Sequence, residues 1–173
     1  PLLRDGVRLG DAQRLLMKKI GIDLGGHTIA AGSVDFFGAA PQVLSAVTVP
    51  TPENRDLLSV IHALEELILL WAAPGDECFV GIGIPGFVDS ERRRILRLTN
   101  FVGCDGVLLG KLISANLKAR GVRVDVRLEN DANCAALGEG LAGAARGMRD
   151  YVVLTLGTGI GAGIVANGRL LTG

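Results

Sequence analysis

The spacing of apolar and polar residues predicts short strands separated by helices and glycine-rich turns. Apolar residues alternate with polar ones, or run together between Gly, Pro, Asn and Asp, as is typical of strands. Strands are predicted at residues 20–23, 29–34, 43–49, 78–84, 122–128, 151–156, 164–166 and 169–171, and a hairpin over 87–98. Helical spacing predicts helices at 53–71 and 107–119, and a small-residue helix follows residues 129–131 and runs through 145.

The turns between these segments indicate how the strands pair. Short turns join the first three strands, which predicts an antiparallel meander. Asn167-Gly168 stands between two short apolar runs and is a strong hairpin signal. Gly121 follows the second helix and is predicted to end it. The stretch 143–150 is predicted to be a linker.

Length and composition are those of a chain with a packed core. The 173 residues suffice for one domain, or for one domain and part of another. Hydrophobic residues make up 49% and charged residues 21%. The net charge is zero and aromatic residues are 4%, which gives no electrostatic or stacking argument for nucleic acid or an anionic membrane. A basic run at 92–97 alternates with apolar residues, so we interpret it as a solvated edge hairpin rather than a nucleic-acid patch.

Cysteine spacing and the ends of the chain bear on location. Cys78, Cys104 and Cys134 lie far apart, which predicts reduced thiols in a cytoplasmic protein rather than a disulfide framework. No signal peptide is apparent, and the longest apolar run, 67–73, is too short to span a bilayer. Residues 1–16 match neither period and precede Met17, so we expect a poorly ordered extension or a short helix.

An acid-amide pair ends the strand at 122–128. Asn130 and Asp131 follow Glu129 at what is predicted to be the carboxyl end of the sheet, where open α/β sheets bind ligands. Asp131 could accept a proton from a hydroxyl, with Asn130 orienting that hydroxyl. The alternative is that one of the two only caps the following helix. Asn100, in a loop at 99–104, is another polar side chain well placed for a ligand.

Two glycine-rich turns lie on either side of this pair in sequence. Gly25 and Gly26 would let the backbone approach an anion, and Asp23 could hold Mg²⁺ through water. The alternative is an ordinary Gly-Gly hairpin with a turn aspartate. The run 157–163 also fits a loose dinucleotide-binding pattern, but strand and hairpin follow it rather than helix. No P-loop is present, and two histidines leave little for a Ser-His or Cys-His constellation.

Four segments together resemble the actin–hexokinase–Hsp70 superfamily and, within it, the ROK family of sugar kinases, bacterial glucokinases above all. Any one segment is weak evidence, but their order and spacing over residues 18–173 are specific. The segments are Ile22-Asp-Leu-Gly-Gly26, Gly81-Ile-Gly-Ile-Pro-Gly86, Leu128-Glu-Asn-Asp-Ala-Asn133 with Leu137-Gly-Glu139, and Leu154-Thr-Leu-Gly-Thr-Gly-Ile-Gly161 with Gly168-Arg-Leu-Leu-Thr-Gly173.

The resemblance implies a ribonuclease H-like (actin-like ATPase) α/β fold. It would have a mixed five-stranded sheet with helices on both faces and the first strands of a second, similar lobe. Residues 17–147 would form the N-terminal lobe, residues 148–173 the truncated start of the second, and residues 1–16 the extension. The complete protein is expected to be a cytoplasmic homodimer.

The resemblance also implies an activity: phosphorylation of a hexose, glucose above others, by ATP with Mg²⁺. Asp131 would be the general base, and closure of two lobes would exclude water. Asn130 and Asn100 would hold other sugar hydroxyls, and Pro85 and Gly86 would form part of the sugar cleft wall. The first phosphate motif would be Asp23, Gly25, Gly26 and Thr28, and the second Gly157, Thr158, Gly159 and Gly161, with Asp23 holding Mg²⁺ through water.

The sequence departs from the family pattern in several places. His27 stands where a threonine is usual, so the phosphate loop loses a hydroxyl unless Thr28 supplies it. Ala162 replaces a frequent glycine and Cys134 a frequent alanine. The Gly-Glu-x-Gly-His sugar motif, the Cys-rich motif for structural zinc and the adenine-binding region would lie beyond Gly173. We therefore expect an incomplete N-terminal fragment that is inactive by itself.

Two alternatives stay open. The first is a kinase for another sugar, such as N-acetylmannosamine, fructose or allose, because much of the discrimination would come from the sugar motif beyond Gly173. The second is a non-catalytic ROK-type sugar-sensing regulator. Such repressors carry an N-terminal winged helix-turn-helix, and the sixteen residues before Met17 are too few to hold one.

Overall fold

A computed structural model describes residues 17–38, 40–157 and 159–172. Within them the chain forms ten strands and three helices. The strands are β1 (Lys18–Leu24), β2 (Thr28–Asp35), β3 (Gln42–Pro50), β4 (Glu77–Ile84), β5 (Gly86–Val88), β6 (Ile95–Leu98), β7 (Arg123–Asn130), β8 (Tyr151–Leu156), β9 (Ile160–Ala166) and β10 (Arg169–Leu170). The helices are α1 (Leu57–Leu69), α2 (Leu109–Ala119) and α3 (Asp131–Ala142). The predicted extension at 1–16 lies outside the described residues.

A mixed five-stranded sheet, in the order β3-β2-β1-β4-β7, is the centre of the fold. The first three strands form the predicted antiparallel meander, whereas β1 pairs parallel with β4 and β4 with β7. Asp23 pairs with Gly83, and Ile84 with Asn130. The three parallel strands therefore end at one edge of the sheet, where the acid-amide pair was predicted to lie.

Helices α1 and α2 cover one face of this sheet. Alternate residues of β1, β4 and β7 point into the core there, among them Ile22, Ile82 and Leu128. From the helices, Leu64 and Ile113 pack against them and are fully buried. Each such side chain stabilises the fold by about 1.5–3 kcal/mol relative to exposure, so this layer holds the carboxyl edge in place.

Helix α3 lies on the opposite face at the carboxyl edge. A β-carbon added at Gly83 would lie 3.4 Å from Cys134 Sγ, so α3 approaches β4 at a position without a side chain. Helices therefore lie on both faces, as predicted.

Strands β8, β9 and β10 form a second sheet, with β9 in the middle, that packs on α3. Small residues make this packing close: β-carbons added at Gly161 and Gly163 would lie 2.9 Å from Ala132 Cβ and 2.5 Å from Ala136 Cβ. The other face of the sheet is apolar and exposed. Its members are Val152, Leu154, Leu156, Ile160 and Ile164, exposed by 41% to 81%.

The hairpin of β5 and β6 lies against the free edge of β7. The Leu128 N–H donates to the Arg92 carbonyl oxygen over 2.9 Å. Arg92 also forms an ion pair with Glu129, and Arg93 pairs with Asp125 over 3.2 Å. The basic run is thus part of an edge hairpin, as predicted, with two of its charges paired to acids of β7.

Three predicted boundaries differ from the structure by more than two residues. The first helix begins at Leu57 rather than 53, because the Asp56 carboxylate caps it by accepting the Ser59 N–H over 2.9 Å. The small-residue helix ends at Ala142 rather than 145. The second glycine run is a turn only to residue 159, since β9 already begins at Ile160. The division into lobes at 147/148 stays a prediction.

Candidate active site

The strand-to-helix junction of β7 and α3 places Asn130 and Asp131 at the carboxyl edge. Asn130 is the N-cap of α3: its Oδ1 accepts the Asn133 N–H over 3.1 Å, and its Nδ2 donates to the Gly86 carbonyl over 3.1 Å. The capping alternative therefore holds for Asn130, although its side chain also lines the cleft described below. Asp131 is the first helical residue, and its Oδ1 accepts the Ala132 N–H over 2.8 Å. Its carboxylate stays half-buried at the mouth of the junction.

Glu129 supports this junction from inside. It is 8% exposed and forms an ion pair with Arg92 of the β5–β6 turn. Its Oε1 accepts the Asn133 side-chain amide and the Asn130 N–H, each over 3.0 Å. A buried carboxylate is tolerated where charge and hydrogen bonds satisfy it. The β5–β6 hairpin and the first turn of α3 are thereby joined at the residue before Asn130.

The first glycine turn is anchored to its neighbours. The Gly25 N–H donates to the Thr28 carbonyl over 3.0 Å, and its carbonyl accepts the Thr51 hydroxyl over 2.7 Å. The Thr51 N–H donates to the His27 carbonyl over 2.9 Å. At Gly26 a β-carbon would meet no atom within 4 Å, so this side of the turn is open to a ligand.

The second glycine turn is less anchored. Its described hydrogen bond is local, from the Gly157 N–H to the Gly159 carbonyl over 3.0 Å. A β-carbon added at Gly157 or at Gly159 would meet no other atom within 4 Å. Thr158 lies outside the described residues, so its predicted role is not addressed by the structure.

One cleft of about 620 Å³ brings most of the predicted residues together. That volume lies in the range of small-molecule sites. Asp23 and Thr28 are not among the lining residues; Thr28 is the first residue of β2, and its carbonyl accepts the Gly25 N–H. The predicted residues that do line the cleft are Gly25, Gly26, Pro85, Gly86, Asn100, Asn130, Asp131, Gly157, Gly159 and Gly161.

Asp23 lies close enough to the junction to interact with Asp131. Partial desolvation and then the Asp131 charge raise the pKa of Asp23 above its usual range. Two neighbouring carboxylates, of which Asp131 lines the cleft and Asp23 does not, are a ligand set that Mg²⁺ accepts together with water and phosphate oxygens. The described residues contain no group of three or more His, Cys, Asp or Glu that could cage a metal without such additional ligands.

Cys134 lies in the same neighbourhood. Burial, followed by the charges of Asp23 and Asp131, raises the pKa of its thiol to about 11. The thiol is therefore protonated at neutral pH and a poor nucleophile. Cys134 packs against Gly83 rather than contributing chemistry.

Two basic residues of the cleft were not assigned a role from the sequence. His27 lines it in place of the usual threonine, and Arg55 lines it from the loop before α1. Arg55 was missed because the apolar spacing placed it inside a helix. The Asp56-x-x-Ser59 capping pattern could have ended the helix before it.

A second cavity, of about 380 Å³, lies on the uncovered part of the central sheet. Gly21, Gly81, Phe36 and Phe79 line it, and Lys19 is its titratable residue. The Lys19 Nζ lies 5.3 Å from the centre of the Phe37 ring. This cavity is largely apolar and shares no lining residue with the cleft.

None of the helices in the described ranges has the length and apolar character needed to cross a bilayer.

Comparison with known proteins identifies the family. Residues 19–173 match the ROK family, which is most of the chain. The chain belongs to the ROK family. A glucokinase of Thermotoga maritima is 41% identical over 157 residues, which are 91% of this chain and 47% of that protein. An N-acetyl-D-glucosamine kinase of Shigella flexneri is 37% identical over 158 residues, covering 88% of this chain and 48% of that protein.

Solved structures show the same relationship for this ROK chain. A ROK family glucokinase from Streptomyces griseus, in complex with glucose and AMPPNP, superposes with a TM-score of 0.76 at 35% identity. The match covers 90% of this chain and 46% of that one. The mixed sheet is thus the actin-like ATPase fold of ROK sugar kinases, as predicted. The chain spans about half the length of the curated relatives it matches.

Proposed function

We propose that the protein to which this chain belongs phosphorylates a hexose with ATP, converting glucose to glucose 6-phosphate. The observation that carries the proposal is a single cleft lined both by the Asn130-Asp131 junction and by two glycine turns. A base and phosphate-binding backbone are the parts that phosphoryl transfer to an alcohol needs. The glucose and AMPPNP bound by the Streptomyces griseus relative support it.

In this proposal Asp131 accepts the proton of the hydroxyl whose oxygen attacks the terminal phosphorus of ATP, and ADP leaves. Asn130 and Asn100 hold neighbouring sugar hydroxyls, while Pro85 and Gly86 form part of the wall. The Asn130 amide is already oriented by Gly86 and Asn133, so little side-chain freedom is lost on binding. Positioning of this kind contributes more to such a reaction than the base, whose share is about 10²–10⁴ in rate.

The glycine turns would hold the phosphates. Gly26 and Gly159 adjoin open space, and in this proposal their backbone N–H groups face an anion. The Gly157 N–H is already bonded to the Gly159 carbonyl and shapes the turn. Mg²⁺, held through water by Asp23, would neutralise phosphate charge. In this proposal Thr28 supplies the phosphate-loop hydroxyl that is lost where His27 replaces threonine.

A kinase for an amino sugar is the second candidate. The N-acetyl-D-glucosamine kinase relative is 37% identical and covers as much of the chain as the glucokinases do. A panel of glucose, N-acetylglucosamine, N-acetylmannosamine, fructose and allose would rank the sugars by kcat/KM. The highest value for an amino sugar would replace glucose in the proposal.

The base assignment is tested in a chimera that joins residues 17–173 to the part of the Thermotoga maritima glucokinase that they do not span. Asp131→Asn should lower kcat for glucose about 10²–10⁴-fold, measured by coupled detection of glucose 6-phosphate. Asp125→Asn, which removes a carboxylate of β7 outside the cleft, is the matched control. Equal activity of Asp131→Asn and the parent would contradict the proposal.

The 173-residue chain itself is expected not to turn over. It spans 45–48% of the curated kinases, and the exposed apolar face of β8 and β9 adjoins the cleft. Robust phosphorylation of glucose by this chain would contradict that expectation. A homodimer, a cytoplasmic location and a structural zinc outside this chain remain predictions of the family resemblance, and the regulator remains the non-catalytic alternative.

A further inference from the structure

Arg55 occupies the part of the cleft between the first glycine turn and the Asn100 loop. It follows Thr51, whose side chain and backbone are tied to Gly25 and His27. Its own carbonyl accepts the Val102 N–H over 2.9 Å, two residues beyond Asn100. The residue therefore bridges the segment predicted to bind phosphate and the segment predicted to bind sugar hydroxyls.

The backbone of Arg55 is in the left-handed region, with φ of +47°. Glycine adopts this conformation without strain, whereas an arginine does so at a cost. Neighbouring hydrogen bonds hold it there: the Arg55 N–H donates to the Pro52 carbonyl over 3.1 Å, and Asp56 begins the cap of α1. Strain held in place at a ligand cleft is a reason to look for a function of the side chain.

A second strained arginine shows the contrast. Arg92 has φ of +57°, and its guanidinium is paired with buried Glu129. The Arg55 guanidinium makes no hydrogen bond or ion pair within residues 17–38, 40–157 and 159–172. Structural pairing thus accounts for Arg92, whereas Arg55 lines the cleft without such a pair among the described residues.

We propose that Arg55 binds the phosphoryl group of the hexose phosphate. The inference rests on the proposed function, because it assigns this guanidinium to the group that passes from the glycine turns to the sugar. A guanidinium offers two parallel N–H donors to phosphate oxygens, which neither glycine nor lysine provides. Fixed positive charge at that place stabilises the charge of the phosphoryl group as it moves. The same phosphoryl chemistry is present in ATP, so the test must separate the two sources.

The two sources are separated by titrating the chimera defined above with glucose, glucose 6-phosphate and ATP, with binding followed by NMR shifts or calorimetry. Arg55→Gly should weaken glucose 6-phosphate about tenfold to a hundredfold, the scale of a lost charge-assisted pair. Glucose should change less than about twofold, since no phosphate is involved. Arg55→Lys should give an intermediate loss, because it keeps the charge without the fork.

The thermal midpoint provides an independent readout. Arg55→Gly should raise it, since glycine relieves the left-handed strain, so weaker binding cannot be explained by unfolding. Lys111→Gln, which removes an exposed charge of α2 outside the cleft, should leave all three affinities unchanged.

Three outcomes would overturn the assignment. They are unchanged affinity for glucose 6-phosphate in Arg55→Gly, an equal loss for glucose and glucose 6-phosphate, and a loss confined to ATP. A fourth such outcome is a parent chimera that binds glucose but not glucose 6-phosphate. Failure of the proposed function looks different: the parent chimera would bind neither glucose nor ATP and would not turn over.

Discussion

The two glycine-rich turns carry similar sequences but are built differently. Around Gly25 the turn is tied to β2 and to Thr51, a residue 26 positions away in sequence. Around Gly157 the described turn is closed by one local hydrogen bond, and the glycines that follow it in β9 pack on α3. Glycine therefore gives backbone access in both turns, and in the second run it also permits a helix to approach a strand.

This difference separates glycines that adjoin open space at the cleft from glycines that the packing of the fold needs. Gly26, Gly157 and Gly159 adjoin open space, so a methyl group there changes mainly what the cleft can bind. Helix α3 occupies the space beside Gly163, so a methyl group there changes the packing of the second sheet. Substitution with alanine tells the two classes apart.

The largest effect is expected at Gly163. Gly163→Ala places a methyl group against the Ala132 carbonyl and 2.5 Å from Ala136 Cβ, so the free energy of unfolding should fall by about 1–3 kcal/mol. Urea denaturation measures it. Gly159→Ala, where nothing lies within 4 Å, is the matched control. A similar loss in both variants would remove the distinction between the two classes.

A somewhat smaller effect is expected in the first turn. A β-carbon at Gly25 would lie 2.7 Å from the Thr28 carbonyl oxygen, in the hydrogen bond that closes the turn. Gly25→Ala should lower the free energy of unfolding by about 1–2 kcal/mol, whereas Gly26→Ala should preserve it. If Gly26→Ala were the more damaging in chemical denaturation, the description of that side of the turn as open would be incorrect.

The anchor of the first turn can be removed without touching its glycines. Thr51→Val deletes the hydroxyl that donates to the Gly25 carbonyl at a site 7% exposed. A loss of about 0.5–1.5 kcal/mol in unfolding free energy is expected. Thr48→Val on the exposed side of β3 is the control, and its loss should be smaller. Equal losses would show that the tether contributes nothing.

The smallest effect is a pH dependence at Asp23. Its raised pKa means that the folded chain keeps this proton to a higher pH than the unfolded chain does. Stability should therefore fall as pH rises from the ordinary value of 3.8 through the raised one, and the penalty is complete at neutral pH. Asp23→Asn should then stabilise the chain at pH 7 by less than about 1 kcal/mol, because the group is partly exposed.

Thermal unfolding at pH 3.5 and 7 measures this difference. The gain should be smaller at pH 3.5, where the carboxyl is mostly protonated in both states. Glu53→Gln, on the exposed loop before α1, controls for a lost negative charge. Mg²⁺ at pH 7 should stabilise the parent more than Asp23→Asn, and equal stabilisation would argue against a cation at this carboxylate.

Local signals account for much that could be predicted from the sequence. The bounds of β8 are those expected from its apolar run, and Asn167-Gly168 forms the expected hairpin with both residues at positive φ. Gly121 ends α2 at φ of +81°. The position of Asp131 at the carboxyl edge follows from the strand-to-helix pattern around residues 129–131, and the family resemblance supplied the mixed five-stranded sheet.

Features that depend on distant contacts could not be predicted. Hydrogen bonds of the Arg55 backbone with Pro52 and Val102 hold Arg55 in the left-handed conformation. The spacing of apolar residues alone places Arg55 inside the first helix. From the sequence alone, Gly161 and Gly163 are expected to belong to a loop. Ala132 and Ala136, which leave no room for a side chain at these glycines, lie about thirty residues earlier in the chain. Asn130 could be a cap or a ligand from its position alone, and the structure shows that it caps while still facing the cleft.

The hairpin turn that bonds β7 also has a consequence for solubility. It occupies a backbone donor at one border of the central sheet, whereas β3 forms the other border and is mostly exposed. Strands at uncovered borders are where copies of a protein add to one another and precipitate. Aggregation through the central sheet should therefore begin at β3 rather than at β7, and Leu44→Lys, at a residue that is 65% exposed, should delay it in light-scattering measurements.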